Sequence, residues 1–116
     1  MEQLKGKYAK LRDDIRKALI LGEIAEAADY AKGGDGGTCN FDSATLYLPR
    51  WKQALVEQAA KEAGTRCWKW TGWGGGRYVI SPHTRCQGSP RTANAEAMCD
   101  HFNAVGYTGS VYYQMD

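Results

Sequence analysis

RCWKWTGWGGGRYVISPHTRCQGSPR, residues 66–91, is the stretch whose reading decides the fold. Trp68 and Trp70 alternate with Cys67, Lys69 and Thr71, the two-residue period of a strand whose side chains point to opposite faces. Gly74-Gly75-Gly76 supplies the positive φ angles that a tight connection requires. Tyr78-Val79-Ile80 then reads as the return strand, closed by Ser81-Pro82. At the far end, Ser89-Pro90 starts a helix, with a serine cap followed by proline at the first helical position. The middle of the chain is therefore a β-hairpin followed by a helix.

Working outward, Pro49 suits a first helical turn. Trp51, Leu55, Val56, Ala59 and Ala63 form a helical stripe that stops at Gly64, a C-terminal cap. Before it, Thr38 to Leu48 is rich in strand formers, with a bend offered at Asp42-Ser43. On the other side, Ala95, Met98, Phe102 and Val105 make a buried helical stripe ending at Gly106. Residues 109–115 (GSVYYQM) read as a last strand. The order β-α-β-β-α-β predicts an α+β fold of the split βαβ, ferredoxin-like kind, an antiparallel sheet with helices on one face.

An extra helix precedes this unit. Leu4, Tyr8, Leu11, Ile15 and Leu19 recur on one helical stripe. Leu21, Ile24, Ala25 and Ala28 continue the pattern past Gly22, where a kink or a break into two helices is expected. Residues 33–37 (GGDGG) end the helix and form a linker. The division is thus a helical arm at 1–32, packed on the sheet or projecting from it, and an α+β domain at 38–116 in one compact unit.

At 116 residues, with 43% apolar and 24% charged side chains, the chain fits a single globular domain. A net charge of +2 does not announce a nucleic-acid binder, so the distribution matters more. Residues 66–91 hold Arg66, Lys69, Arg77, Arg85 and Arg91 and no acidic residue. The start, Met1-Glu2-Gln3-Leu4-Lys5, lacks a signal-peptide pattern, and no apolar run reaches membrane-spanning length. A cytoplasmic protein without membrane contact is expected, its four cysteines as thiols.

Aromatics interleaved with Arg and Lys on an uncovered sheet stack unpaired bases. The candidate binding surface is therefore Arg66, Trp68, Lys69, Trp70, Trp73, Arg77, Tyr78 and Arg85. Alternation alone leaves open whether Trp68 and Trp70 face the helices as core instead. The glycine-rich turn reads as a hairpin rather than a phosphate loop, since it lacks Lys-Ser/Thr and precedes a strand. His83, Cys86, Cys99 and His101 are zinc-type ligands. A Cys-x-His pair on a helix points its side chains apart, however, and Cys99 reads as core. No metal, cofactor or catalytic residue is assigned. The basic first helix reads as a grip on phosphates or an acidic partner, and its stripe from Leu4 to Leu19 as a dimer seam or part of the core, with core packing preferred.

DGGTCNF (Asp35–Phe41), LPRW (Leu48–Trp51), KEAG (Lys61–Gly64), RYVISP (Arg77–Pro82) and VYYQMD (Val111–Asp116) together resemble a family of small uncharacterised proteins carried by phages and prophages of gut Firmicutes. The resemblance spans roughly residues 30–116 and transfers no site residues. It implies a non-enzymatic protein that binds host or defence nucleic-acid-handling complexes, as anti-CRISPR-type inhibitors do, in the host cytoplasm. The alternatives are direct binding of single-stranded nucleic acid and sequestering of a nucleotide.

Overall fold

A computed structural model describes residues 3–33, 40–70, 75–84 and 88–113. The elements run α1 (Gly6–Ala31), β1 (Ser43–Tyr47), α2 (Gln53–Ala63), β2 (Cys67–Lys69), β3 (Arg77–Ile80), α3 (Ser89–Ala104) and β4 (Thr108–Tyr112). The four strands form one sheet in the order β2-β3-β1-β4, with every neighbouring pair antiparallel. The fold is α+β, with three helices and one four-stranded antiparallel sheet.

Strand alternation sorts the sheet into two faces. Ala44, Leu46, Tyr78 and Ile80 join a core built with residues from all three helices, including Leu11, Ile15, Val56, Met98 and Phe102. Burying each large aliphatic side chain contributes roughly 1.5–3 kcal/mol. The opposite face carries Ser43, Thr45 and Tyr47 of β1, Trp68 of β2, Arg77 and Val79 of β3, and Ser110 and Tyr112 of β4.

The first helix is neither a projecting arm nor a second layer laid on the sheet. It packs on α3 and α2, so the helices form two tiers above the sheet. The expected stripe is the reason: Leu4, Leu11, Ile15 and Leu19 are buried and Tyr8 packs against them. Polar contacts tie the same helix down. The Tyr107 hydroxyl donates to Asp14 at 2.7 Å, Arg16 donates to the Glu62 carbonyl at 3.0 Å, and the Lys52 amide donates to the Tyr8 hydroxyl at 2.9 Å. The basic side chains Lys10, Arg12 and Arg16 are thereby engaged in holding the fold.

Gly22 does not break α1, which is continuous through it. A Cβ on Gly22 would stand 2.1 Å from Asn94 Oδ1 and 3.0 Å from Met98 Cγ. The glycine is there because α1 and α3 approach too closely for a side chain, which is a packing cause and not a conformational one.

Three boundaries move from their expected places. Pro49 does not open α2, which begins at Gln53 after a turn in which Arg50 takes φ +67°. Ser89 sits inside α3 instead of capping it, and its hydroxyl donates to Asp29 of α1 at 2.6 Å. β4 is Thr108–Tyr112, one residue earlier at its start than expected. Gly64 caps α2 with φ +102°, as its position at the end of the stripe required.

Candidate functional site

The sheet face turned away from the helical core is the candidate site. Its register places Trp68 across from Val79, Val79 across from Thr45, and Thr45 across from Ser110. Trp70, just past β2, donates its amide to the Arg77 carbonyl at 2.7 Å and so extends the hairpin by one pair. The middle of this face is a floor of small residues, and the large rings stand at its corners.

Trp70 and Tyr112 rise from the two edge strands at diagonal corners. Their rings meet edge to face with centroids 4.5 Å apart. The right-handed twist of a sheet lifts one diagonal pair of corners toward each other, which lets side chains three strands apart touch. Beneath them Val79 and Thr45 are almost fully buried although no helix covers them. Trp68 keeps 48% of its surface exposed.

Two clefts flank the Trp70–Tyr112 contact. One, of about 280 Å³, is lined by Thr45, Trp70, Arg77, Ser110, Val111 and Tyr112. The other, of about 240 Å³, is lined by Phe41, Ser43, Trp68, Trp70, Val79, Arg91 and Tyr112. Each holds one arginine, and neither has an Asp or Glu among its described lining residues.

Hydroxyl groups hold Arg77 in place. Its Nη1 donates to Thr45 Oγ1 at 3.0 Å and to Ser110 Oγ at 2.8 Å, with the guanidinium 5.8 Å from the Tyr47 ring centre. Thr45 Oγ1 in turn donates to the Ser110 carbonyl at 3.0 Å. Only Nη1 is engaged among the described residues, so Nε and Nη2 still have donors to offer. Arg91, on the first turn of α3, donates from Nε to the Asp42 carbonyl at 3.0 Å and lies 5.8 Å from the centre of the Phe41 ring. Burial pushes the Arg91 guanidinium below its usual range, opposed by the nearby Asp42 and Glu26 carboxylates. Hydroxyl partners orient a guanidinium without neutralising it, leaving the charge for a ligand.

No family model, curated protein or solved structure matches this chain. The geometry is accordingly the ground on which function is read.

The expected surface residues divide into three groups. Trp68, Trp70 and Arg77 come together on the face away from the helices, and Arg66 precedes β2 on the same side by alternation, its carbonyl accepting the Ser81 amide. Tyr78 does not belong to that surface. It is 1% exposed and faces the core, because alternation sends it opposite to Arg77 and Val79. Lys69, directly across from Tyr78, is exposed but shares Tyr78's side of the sheet. Trp73 and Arg85 lie outside the described residues. Thr45, Ser110 and Tyr112 enter the site through cross-strand register, and Arg91 through the packing of α3 beside β1, neither of which local sequence shows.

The zinc-type ligands scatter. His83 Nε2 lies 2.7 Å from the Gly64 carbonyl, with Nδ1 3.2 Å from Glu23. Cys99 is buried and accepts from Asn103 at 3.4 Å, and Cys86 lies outside the described residues. Among the described residues no three His, Cys, Asp or Glu side chains gather as a metal site. A larger cavity of about 740 Å³ lies between α1 and residues 82–84. Glu23 and Glu26 on its walls make it the wrong sign for an anionic ligand. No helix among the described residues is long and apolar enough to cross a membrane.

Proposed function

We propose that this chain is a non-catalytic binding protein whose helix-free sheet face takes up unpaired nucleic acid, either free or presented by a nucleic-acid-handling complex. The observation that carries the reading is the grouping of Trp70, Tyr112 and Arg77. Two rings able to stack on a base stand beside a guanidinium whose only described hydrogen-bond partners are hydroxyls. Stacking of a base on an aromatic side chain contributes roughly 1–3 kcal/mol and tolerates any base, while arginine meets the backbone phosphate. A duplex hides its base faces, so single strands are the preferred ligand.

We also propose a ferredoxin-like class for the sheet and its helices. With β3 between β1 and β2, and β1 between β3 and β4, each β-α-β unit is split by a strand of the other. That order supports a ferredoxin-like class, in which the uncovered face is the natural binding surface. A phage-encoded inhibitor of a host or defence complex, acting in the host cytoplasm, is the setting that the sequence resemblance suggests for such a surface.

Fluorescence anisotropy with a labelled single strand and the matching duplex tests the proposal. Saturable binding to the single strand, weakening as salt rises, is expected. No binding to either at low salt would overturn it and direct attention to a partner that is protein alone.

A further inference from the structure

A further concavity, about 260 Å³, opens at the end of the sheet where β1 leads toward α2. Arg50 and Lys69 line it together with the backbone of Gly75 and Gly76, and Trp51 and Tyr47 form its walls. No acidic residue is among its described lining residues. Neither Arg50 nor Lys69 has an ion pair or side-chain hydrogen bond among the described residues. Lys7 of α1 lies 4.4 Å from the centre of the Trp51 ring and adds a third cation next door.

Two further observations point to a ligand. Tyr78 is buried to 1% exposure and also lines this concavity, yet its hydroxyl has no hydrogen-bond partner among the described residues. That hydroxyl is not sealed in the core as an unsatisfied atom, so it opens onto the cationic concavity with a donor to give. Arg50 is also the only described non-glycine residue with positive φ, at +67°. A non-glycine residue there is strained and is held by the structure around it, which fixes the backbone from which the Arg50 side chain starts.

We propose that this pocket is a phosphate seat, with Arg50 and Lys69 supplying charge and the Tyr78 hydroxyl a hydrogen bond. Tyr47 joins it to the open face, since the same ring lies under the Arg77 guanidinium. The seat stands independently of the open-face reading, because a phosphate needs none of the stacking rings. Its phosphate has two sources, the terminal group of a nucleotide or strand and an internal backbone group.

Amide NMR during titration with inorganic phosphate, at constant ionic strength, tests this directly. Shifts centred on Arg50, Lys69, Gly75 and Gly76 are expected, and the double variant R50Q/K69Q should weaken binding roughly tenfold or more. Shifts spread over other cationic residues, or unchanged binding by the double variant, would overturn the seat. Arg50→Gly separates a functional role from a structural one. It relieves the strained φ, so the protein should gain stability while phosphate binding weakens. A variant that loses stability and keeps its phosphate would also count against the proposal. Oligonucleotides with and without a terminal phosphate identify the source, because only a terminal seat distinguishes them. Trp70→Ala leaves the seat intact whether or not it abolishes strand binding, so the two readings fail separately.

Discussion

Trp70 and Tyr112 stand on opposite edges of the sheet, yet their rings meet 4.5 Å apart over its centre. That contact explains why a sheet face without helices keeps Val79 and Thr45 dry. It also gives the face its form, with one arginine cleft on each side of an aromatic bridge. A bare sheet would offer a flat surface, whereas this one offers two recesses of defined chemistry.

If that bridge stacks bases, Trp70→Ala should weaken single-strand binding by about 1–3 kcal/mol. Isothermal titration would read the loss. Thermal stability should change less than for a core truncation, because Trp70 is only partly buried.

Arg77 should behave differently from the rings. Arg77→Gln is expected to weaken binding and to reduce the slope of log affinity against log salt by about one phosphate contact. Anisotropy titrations at several salt concentrations measure that slope. An unchanged slope with weakened affinity would assign Arg77 to shaping the cleft instead of meeting phosphate.

The crossing of α1 over α3 predicts a large effect from a small substitution. In Gly22→Ala the new methyl would meet Asn94, whose amide is already fixed to Glu26 at 3.1 Å and to the His83 carbonyl at 2.8 Å. Asn94 cannot move aside without giving up those bonds, so a loss of about 1–3 kcal/mol is expected from urea denaturation. Asn94→Ala should be costly alone, but in combination with Gly22→Ala the two losses should add to less than their sum.

Alkaline pH should destabilise the protein through groups whose burial disfavours ionisation. Burial, with a smaller contribution from Glu57, pushes the Cys67 thiol from 9.0 up to about 12. Burial also raises Tyr107, reinforced by its hydrogen bond to Asp14. Between pH 9 and 12 the unfolded chain has lost the Cys67 proton while the folded one retains it. Stability is therefore full below pH 9 and falls as pH rises through that window. Denaturation midpoints from pH 7 to 11 should decline above pH 9, and less steeply in Cys67→Ala.

The periodic features of this sequence carried most of the architecture. The stripe from Leu4 to Leu19, the cap at Gly64 and the antiparallel pairing of β2 with β3 each follow from local chemistry and stand in the structure, while Gly74 of the expected turn lies outside the described residues. Local chemistry could not supply register. Tyr78 and Arg77 are neighbours in sequence, and only pairing with β1 and β2 decides which one the core takes. Tyr112 and Ser110 enter the site through β4, separated from the hairpin by the whole of α3, with no site motif to announce them. Gly22 looked like a helix breaker because the reason for it lies on α3. In the same way, the docking of α1 depends on partners such as Glu62 and Tyr107 that no spacing within the helix reveals.

The most direct measurement is to record side-chain NMR signals while a short single-stranded oligonucleotide is added. The indole signals of Trp68 and Trp70, the Arg77 guanidinium and the Tyr112 ring should shift together, with α1 left unchanged. Shifts centred on the basic side chains of α1, with the Trp70–Tyr112 pair undisturbed, would contradict the assignment of the helix-free face as the binding surface.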